Sequence, residues 1–382
     1  MTVQGLLGII GLIVFIFAST YIPTCKIQIL HETSLTVILG FLGGIIIKEQ
    51  TQTFVAFNDK FFFYYVLPLI LFTEGYTMKH RQFFRNIGSI LLFGVVGTII
   101  CFLANCYGAY LISEYGSYIG IDQHLTLMNI LQIGAVLSES DTVAAIAVIS
   151  DRDSPQVRSI LLGEGVVNDA VAIVLFHSAM QLSLDSFDYN AVTQYLSEFA
   201  FMCVTSILLG LVCGLLSALI TRNFRLLGSQ PHHEVALLFL LAYLGYILSM
   251  MIGASGVLAI LTTAIMMAHY SWYNISEEAR FLSKGAFHVL GETTEAFVYV
   301  YIGFSAYEHF TEIGGFRMML ALTLVVLISR FLAVVLLPGL LKLCSRKMTL
   351  GWGELMAIWF AGSIRGAVAF ALISASEDSE TK

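Results

Sequence analysis

Nine charged side chains lie inside long apolar stretches of this 382-residue chain. A charge at the centre of a bilayer costs at least about 2.5–3.5 kcal/mol to insert, so it persists where it pairs or serves a pathway. The nine are Glu74, Glu139, Asp141, Glu164, Asp169, Glu292, Glu295, Arg330 and Arg365. Asp141 and Asp169 lie near the middle of their stretches and are the best functional candidates, whereas Glu292 is better explained as a structural or snorkelling residue.

Two of the apolar stretches contain polar interruptions that a continuous helix accommodates poorly. One is the tract 138–142, Ser-Glu-Ser-Asp-Thr, and the matching one is 361–366, Ala-Gly-Ser-Ile-Arg-Gly. Ser, Asp and Thr side chains compete for backbone hydrogen bonds, and a break within a membrane is tolerated only where it lines a cavity or is buried in protein. Interrupted helices at corresponding places in two halves indicate a transporter site near the membrane midplane.

A further cluster of polar residues, 164–169, follows the first break. Glu164 and Asn168 are four residues apart and share one helix face, whereas Asp169 is turned by about 100° toward another neighbour. We expect Glu164 and Asn168 to belong to a structural network whose basic partner is either Arg330 or Arg365.

Asp169 is then the carboxylate left unpaired. Because burial disfavours its charged form, it can hold a proton, or a Na⁺ in its place, but not both. One carboxylate alternating between the two ions predicts one-for-one, electroneutral exchange. This one-for-one stoichiometry does not hold if Asp141 or Glu139 also titrates.

The elements that must position these groups are transmembrane helices. The chain is 58% hydrophobic and 12% charged, with a mean hydropathy of +0.84, whereas a typical soluble domain is about 25% charged. Apolar runs long enough to cross a bilayer, roughly 20 residues, recur throughout. Twelve spans are predicted: 5–22, 28–47, 60–77, 86–112, 126–150, 157–180, 196–220, 233–252, 255–270, 285–307, 316–343 and 352–375.

Charge and cysteine usage narrow the function further. The net charge of −7, without a long basic stretch, argues against nucleic-acid binding. The six cysteines form no CxxC pair and are best explained as small hydrophobic residues in helices. We expect no cofactor, no resident metal and no enzymatic activity.

The distribution of Lys and Arg predicts the topology, because cytoplasmic loops collect basic residues. The loop after the first predicted span and every second loop after it together hold 13 of the 19 basic residues. The remaining loops, with the chain end, hold four, and two basic residues lie within spans. Both chain ends are then outside or in a lumen. A thirteenth span would place the C-terminal side in the cytosol.

Several of these segments together carry a family resemblance that covers nearly the whole chain. They are His31-Glu-Thr-Ser-Leu-Thr, Leu67-Pro-Leu-Ile-Leu-Phe with the following Arg81–Ile90, Gly163-Glu164 before Asn168-Asp169, Arg330, and Arg365-Gly-Ala-Val-Ala-Phe. The chain resembles the eukaryotic sodium/proton exchangers of the monovalent cation:proton antiporter-1 group.

The resemblance implies an all-α polytopic membrane protein with the inverted-repeat fold of bacterial sodium/proton antiporters. Residues 1–382 would form a single exchanger domain with 12 of an expected 13 helices. The first repeat would cover about 5–180, the linker helix about 196–220 and the second repeat about 233–375. The last helix and a cytosolic tail would be absent. A homodimer in lipid with elevator-like alternating access is expected.

The resemblance also assigns roles to residues. Asp169 would bind Na⁺ or K⁺ in competition with H⁺, helped by Asp141, Asn168 and the broken backbone around Ser140. A salt bridge between Glu164 and Arg330 would steady Asn168, and Arg365 would lie at the second helix break. The Asn-Asp signature is associated with electroneutral members. The segment 268–276 is most similar to the endosomal and vacuolar branch, which favours an endomembrane over the plasma membrane.

Three features depart from the family pattern. Its paired prolines appear here as Pro68-Leu69, and its Asp-Pro appears as Asp141-Thr142. Glu74 and Glu139 are acids where the family usually has small or apolar residues. The extra acids leave the stoichiometry and the ion preference open.

Three other functions fit the sequence less well. An intramembrane aspartyl protease could use Asp141 and Asp169 as a carboxylate pair sharing a proton, but the sequence lacks a Gly-x-Gly-Asp segment. A cation channel is disfavoured because no repeated filter segment is visible. A non-transporting membrane sensor or subunit that keeps the exchanger fold remains the alternative.

Overall fold

The computed structural model describes residues 2–24, 32–51, 58–78, 80–119, 125–141, 155–181, 189–224, 228–310, 316–343 and 351–380. Within these ranges all regular structure is helical, and each of the twelve predicted spans corresponds to a helix. The predicted span 126–150 is described only as far as Asp141, so the second half of the span, with Thr142, lies outside the described residues.

The helices are numbered α1 to α12 in chain order. The first six are α1 (Thr2–Thr24), α2 (Glu32–Thr51), α3 (Asp59–Phe61, a π-helical turn Phe62–Val66, and Leu67–Thr77), α4 (His80–Leu91, a π-helical turn Leu92–Gly97, and Thr98–Tyr115), α5 (Leu127–Val136) and α6 (Pro155–Met180). The others are α7 (Tyr189–Asn223), α8 (Pro231–Met251), α9 (Gly256–Met266, a π-helical turn Met267–Ser271, and Trp272–Asn274), α10 (Glu277–Phe310), α11 (Phe316–Leu343) and α12, in two halves (Trp352–Ala361 and Ala367–Glu380).

The surface of the helices suits a lipid environment. By length and composition alone, five described helices could cross a membrane: Gln82–Tyr115, Val157–Met180, Val192–Asn223, Pro231–Met251 and Arg317–Leu337. Large apolar side chains such as Ile9 on α1 and Leu208 on α7 are exposed on the outside of the protein. The apolar window of α6 differs because 83% of it is buried. α6, which carries Glu164, Asn168 and Asp169, is therefore the central helix.

The helices pack in two groups. The first group, called the scaffold bundle, consists of helices that pack mainly on one another: α1, α2, α3, α7, α8, α9 and α10. The second group, called the site bundle, consists of α4, α5, α6, α11 and α12. Within it, α6 also contacts α7 and α9 of the scaffold bundle. Each bundle takes helices from both halves of the chain. The assignment of the halves as inverted repeats stays a prediction.

A buried carboxylate fixes the start of α10 against α8. The Ser276 hydroxyl accepts a hydrogen bond from Ala279 N (3.2 Å), which caps the helix. The same hydroxyl donates to Glu234 Oε2 (2.6 Å), and Ser276 N donates to the same oxygen (3.0 Å). Glu234 is only 2% exposed. α10, which brings Glu295 and Tyr299 to the site described below, is thus anchored within the scaffold bundle.

α2 and α10 cross with their backbones in direct contact at two glycines. A Cβ atom on Gly303 would lie 2.6 Å from Gly40 Cα, and one on Gly40 would lie 2.9 Å from Gly303 Cα. Real Cβ atoms do not approach other atoms so closely, and backbone cannot move aside as a flexible side chain can. Small residues that let helix backbones approach are typical of membrane helix interfaces.

We therefore expect Gly303→Ala to lower the apparent melting temperature of the detergent-solubilised protein, because overpacking costs about 1–3 kcal/mol. Gly8→Ala on α1 is the matched control, since nothing lies within 4 Å of its added methyl group. Equal melting temperatures for the two variants would contradict the close crossing.

Candidate functional site

The segment that follows α5 crosses the interruption in α12, and each satisfies backbone groups that the other leaves free. Asp141 N donates to Ile364 O (2.9 Å), joining the segment after α5 to the break in α12. The Arg365 guanidinium donates to Glu139 O and to Gly362 O (3.1 Å). Such backbone would be costly within a membrane if its polar groups lacked partners. The crossing thus holds both breaks in place.

Asn168 of α6 connects the first break to α4. The Thr98 hydroxyl has a single proton and donates it to Gly94 O (2.7 Å). The Asn168 atom 2.7 Å from that hydroxyl must therefore be the amide nitrogen, which also donates to Ser138 O (3.2 Å). Its amide oxygen then accepts from Ser140 N (2.9 Å) and Ser140 Oγ (2.5 Å). Asn168 is fully buried and satisfied on both sides.

The π-helical turn of α4 contributes to this contact. It contains Gly94, where an added Cβ would lie 2.9 Å from Val167 Cβ on α6. The absence of a side chain at Gly94 allows α4 and α6 to approach closely. Thr98, at the first position after the turn, then reaches Asn168. The sequence pattern does not indicate Thr98 as a site residue.

A buried ion pair lies one helical turn before Asn168. Arg330 of α11 donates to Glu164 of α6, and the two side chains are 2% and 0% exposed. Residue types and spacing left open whether Arg330 or Arg365 pairs with this helix, whereas the family resemblance implied Arg330. The structure has Arg330 at Glu164, while Arg365 contacts the break. Gly362 makes room for the pair, because a Cβ there would overlap the Arg330 guanidinium.

Asp169 points toward a different environment from Asn168. Its Oδ1 is buried and has no hydrogen-bond partner among the described residues. It lines a cavity of about 790 Å³ between the two bundles. Four more acids line the same cavity: Glu74, Glu139, Asp141 and Glu295. Glu139 is 1% exposed, and the other acids are partly buried.

α10 contributes a tyrosine to this cavity. Tyr299 is 8% exposed, and its hydroxyl donates to Asp141 Oδ2 at 2.7 Å. Tyr299 is not one of the residues that the sequence pattern indicates. The available signal was its position one helical turn after Glu295, on the same face of α10.

The cavity extends to helix ends that the charge distribution places in the cytosol. Thr77 and Met78 at the end of α3 line it, as do Arg158 near the start of α6 and Lys284 near the start of α10. These ends adjoin the loops that carry most of the basic residues. The site therefore faces the side predicted to be cytosolic.

Glu292 lies apart from this arrangement. Its side chain is 60% exposed and lies 3.4 Å from His288, one turn earlier on α10. It is not among the residues that line the cavity. This placement agrees with the structural or snorkelling interpretation of Glu292.

A cavity lined by five carboxylates beside an interrupted helix is typical of secondary membrane transporters. The sequence pattern of the family described as "Sodium/hydrogen exchanger, transmembrane" matches residues 11–381. The chain belongs to the sodium/hydrogen exchanger family, which confirms the resemblance noted in the sequence.

Curated relatives and a solved structure agree with this assignment. The chain is 34% identical to sodium/hydrogen exchanger 1 of Oryza sativa subsp. japonica over 90% of this chain and 66% of that protein. It is 31% identical to sodium/hydrogen exchanger 3 of Arabidopsis thaliana over 90% and 70%. This chain thus spans about two thirds of their length.

The sodium proton antiporter MjNhaP1 of Methanocaldococcus jannaschii aligns with a TM-score of 0.66 at 20% identity, over 100% of this chain and 90% of that one. This confirms the predicted antiporter fold.

The Glu164–Arg330 pair makes a prediction about stability. Arg330→Gln leaves the Glu164 charge buried without its partner, which destabilises a protein by about 3–5 kcal/mol. We expect a large fall in apparent melting temperature for Arg330→Gln and little change for the exposed Arg317→Gln on the same helix.

The double variant Glu164→Gln plus Arg330→Gln removes both charges. It should melt at a higher temperature than Arg330→Gln alone, because no charge is left uncompensated. A double variant less stable than the single variant would show that the two residues do not act as a pair.

Proposed function

We propose that this protein exchanges Na⁺ or K⁺ for H⁺ across a membrane, and that Asp169 binds the cation and the proton in turn. The observation that carries the proposal is the buried Asp169 Oδ1, which has no hydrogen-bond partner among the described residues and lies in an acidic cavity. The names of the matched relatives, which are exchangers, support the same activity.

The side chains around Asp169 divide into two roles in this proposal. Asp141 and Ser140 line the cavity with Asp169 and supply further oxygen ligands for a cation. Asn168 does not line it and acts by holding Ser140 through two hydrogen bonds. Glu164 and Arg330 lie behind this network and neutralise each other, so they add no net charge to the site.

Exchange follows from competition at one carboxylate. With a proton or a monovalent cation on Asp169, the loaded site carries the same net charge, so one-for-one exchange is electroneutral. Acidification on either side loads the site with protons and displaces the cation. Alternating access would arise from movement of the site bundle against the scaffold bundle, since the cavity lies between them.

The test is H⁺ flux driven by an imposed Na⁺ or K⁺ gradient in sealed proteoliposomes. We expect flux with the native protein, and Asp169→Asn should abolish it because an amide cannot exchange a proton for a cation. Glu292→Gln, which removes an exposed acid outside the cavity, is the control and should retain the flux.

Each other outcome has a defined meaning. Flux that survives Asp169→Asn would remove Asp169 from the mechanism. Absence of flux with every cation would favour the non-transporting sensor or subunit that keeps the exchanger fold.

Stoichiometry is a separate prediction, because Glu74 adds a carboxylate to the same cavity. If Asp169 alone exchanges ions, the flux should not change when the membrane potential is clamped at zero with a potassium ionophore, with Na⁺ as the driving cation. A potential-dependent flux that becomes independent of potential in Glu74→Gln would show that Glu74 carries a second charge.

The location and assembly of the protein are also proposals. We propose an endosomal or vacuolar membrane, supported by the similarity of the segment 268–276 to that branch, and a homodimer, as the family resemblance implies. Fluorescence microscopy of the tagged protein against organelle markers tests the first. Mass measurement of the detergent complex tests the second.

A further inference from the structure

Tyr299 links the two bundles at the proposed ion site. It lies on α10 of the scaffold bundle, and its hydroxyl donates to Asp141 Oδ2, in the broken segment of the site bundle, at 2.7 Å. Its side chain is buried and lines the acidic cavity. This contact therefore reaches an oxygen that is available to a cation in the proposed function.

The surroundings of the hydroxyl explain why it donates here. Glu295 precedes Tyr299 by one helical turn on α10, and Glu139 and Asp141 lie across the cavity. A phenol has a single proton to donate. It gives that proton to Asp141, so this oxygen is occupied by a neutral donor.

A cation at Asp141 meets this hydrogen bond as an electrostatic opponent. Na⁺ or K⁺ bound to the Asp141 carboxylate lies close to the positive end of the phenol O–H dipole and is repelled by it. The phenol proton and the cation thus compete for the negative charge of one carboxylate, even though that carboxylate has a lone pair for each. Hydrogen bonds to charged groups are also stronger than those between neutral groups.

We propose that Tyr299 is a positioning residue that competes with the transported cation for Asp141 and thereby sets the apparent cation affinity. The inference rests on the proposed function, since it concerns the same site. Its physical effect is to keep the affinity low enough for release. A weaker cation complex dissociates faster at a given association rate.

The test is Tyr299→Phe, which keeps the ring and removes only the hydroxyl. We expect KM for Na⁺ or K⁺ in the proteoliposome assay to fall about three- to tenfold at fixed pH, with no rise in maximal rate. Tyr246→Phe is the matched control. It removes a buried tyrosine hydroxyl that donates to Phe63 O (2.5 Å) within the scaffold bundle, and it should leave KM unchanged.

A second measurement does not depend on transport. Cations that bind only the folded protein raise its melting temperature in a concentration-dependent way. The stabilisation grows as ln(1 + [cation]/Kd), so the dependence of the melting temperature on Na⁺ or K⁺ concentration gives the dissociation constant in detergent. This constant should fall by the same factor in Tyr299→Phe. A purely structural role would lower the melting temperature without cation and would not lower the dissociation constant.

The outcomes separate the inference from the proposed function. An unchanged dissociation constant and KM in Tyr299→Phe would overturn the competition. A rise in both would overturn it as well, because the phenol oxygen would then be a ligand of the cation. Failure of the native protein to exchange ions or to be stabilised by any cation would instead defeat the proposed function itself.

Discussion

Every part of the site depends on one constraint: backbone that leaves a helix inside a membrane must still form its hydrogen bonds. Here the segment after α5 crosses the interruption in α12, so that Asp141 N donates to Ile364 O and the Arg365 guanidinium donates to the carbonyl oxygens of Glu139 and Gly362. The break places Asp141 in the wall of the cavity.

The remaining polar groups keep that crossing fixed. Asn168 joins the first break to Thr98 on α4, and the Glu164–Arg330 pair joins α6 to α11. Both features are buried and have their partners within the site bundle. Asp169, one position after Asn168, faces the cavity instead. Adjacent residues on one helix thus serve rigidity and ion binding because they point about 100° apart.

The sequence predicts the helices and the breaks well, because apolar runs and polar interruptions are local features. It also predicts the separate orientations of Asn168 and Asp169 from helical geometry alone. Spacing and burial alone could not choose between Arg330 and Arg365 as the partner of Glu164, since both lie in apolar runs and only the packing of α11 against the site separates them. The family resemblance did imply Arg330. Thr98 and Tyr299 were missed for a related reason. A threonine or tyrosine in a membrane helix is common, and its role depends on which helix lies opposite.

The central claim is that a proton and a cation compete for Asp169, and proton release on cation binding tests it most directly. Na⁺ or K⁺ is added to the weakly buffered, detergent-solubilised protein, and the pH change is recorded with an indicator dye. The account predicts that protons are released in proportion to bound cation and that Asp169→Asn releases none. Cation binding without proton release, or release that persists in Asp169→Asn, would contradict it.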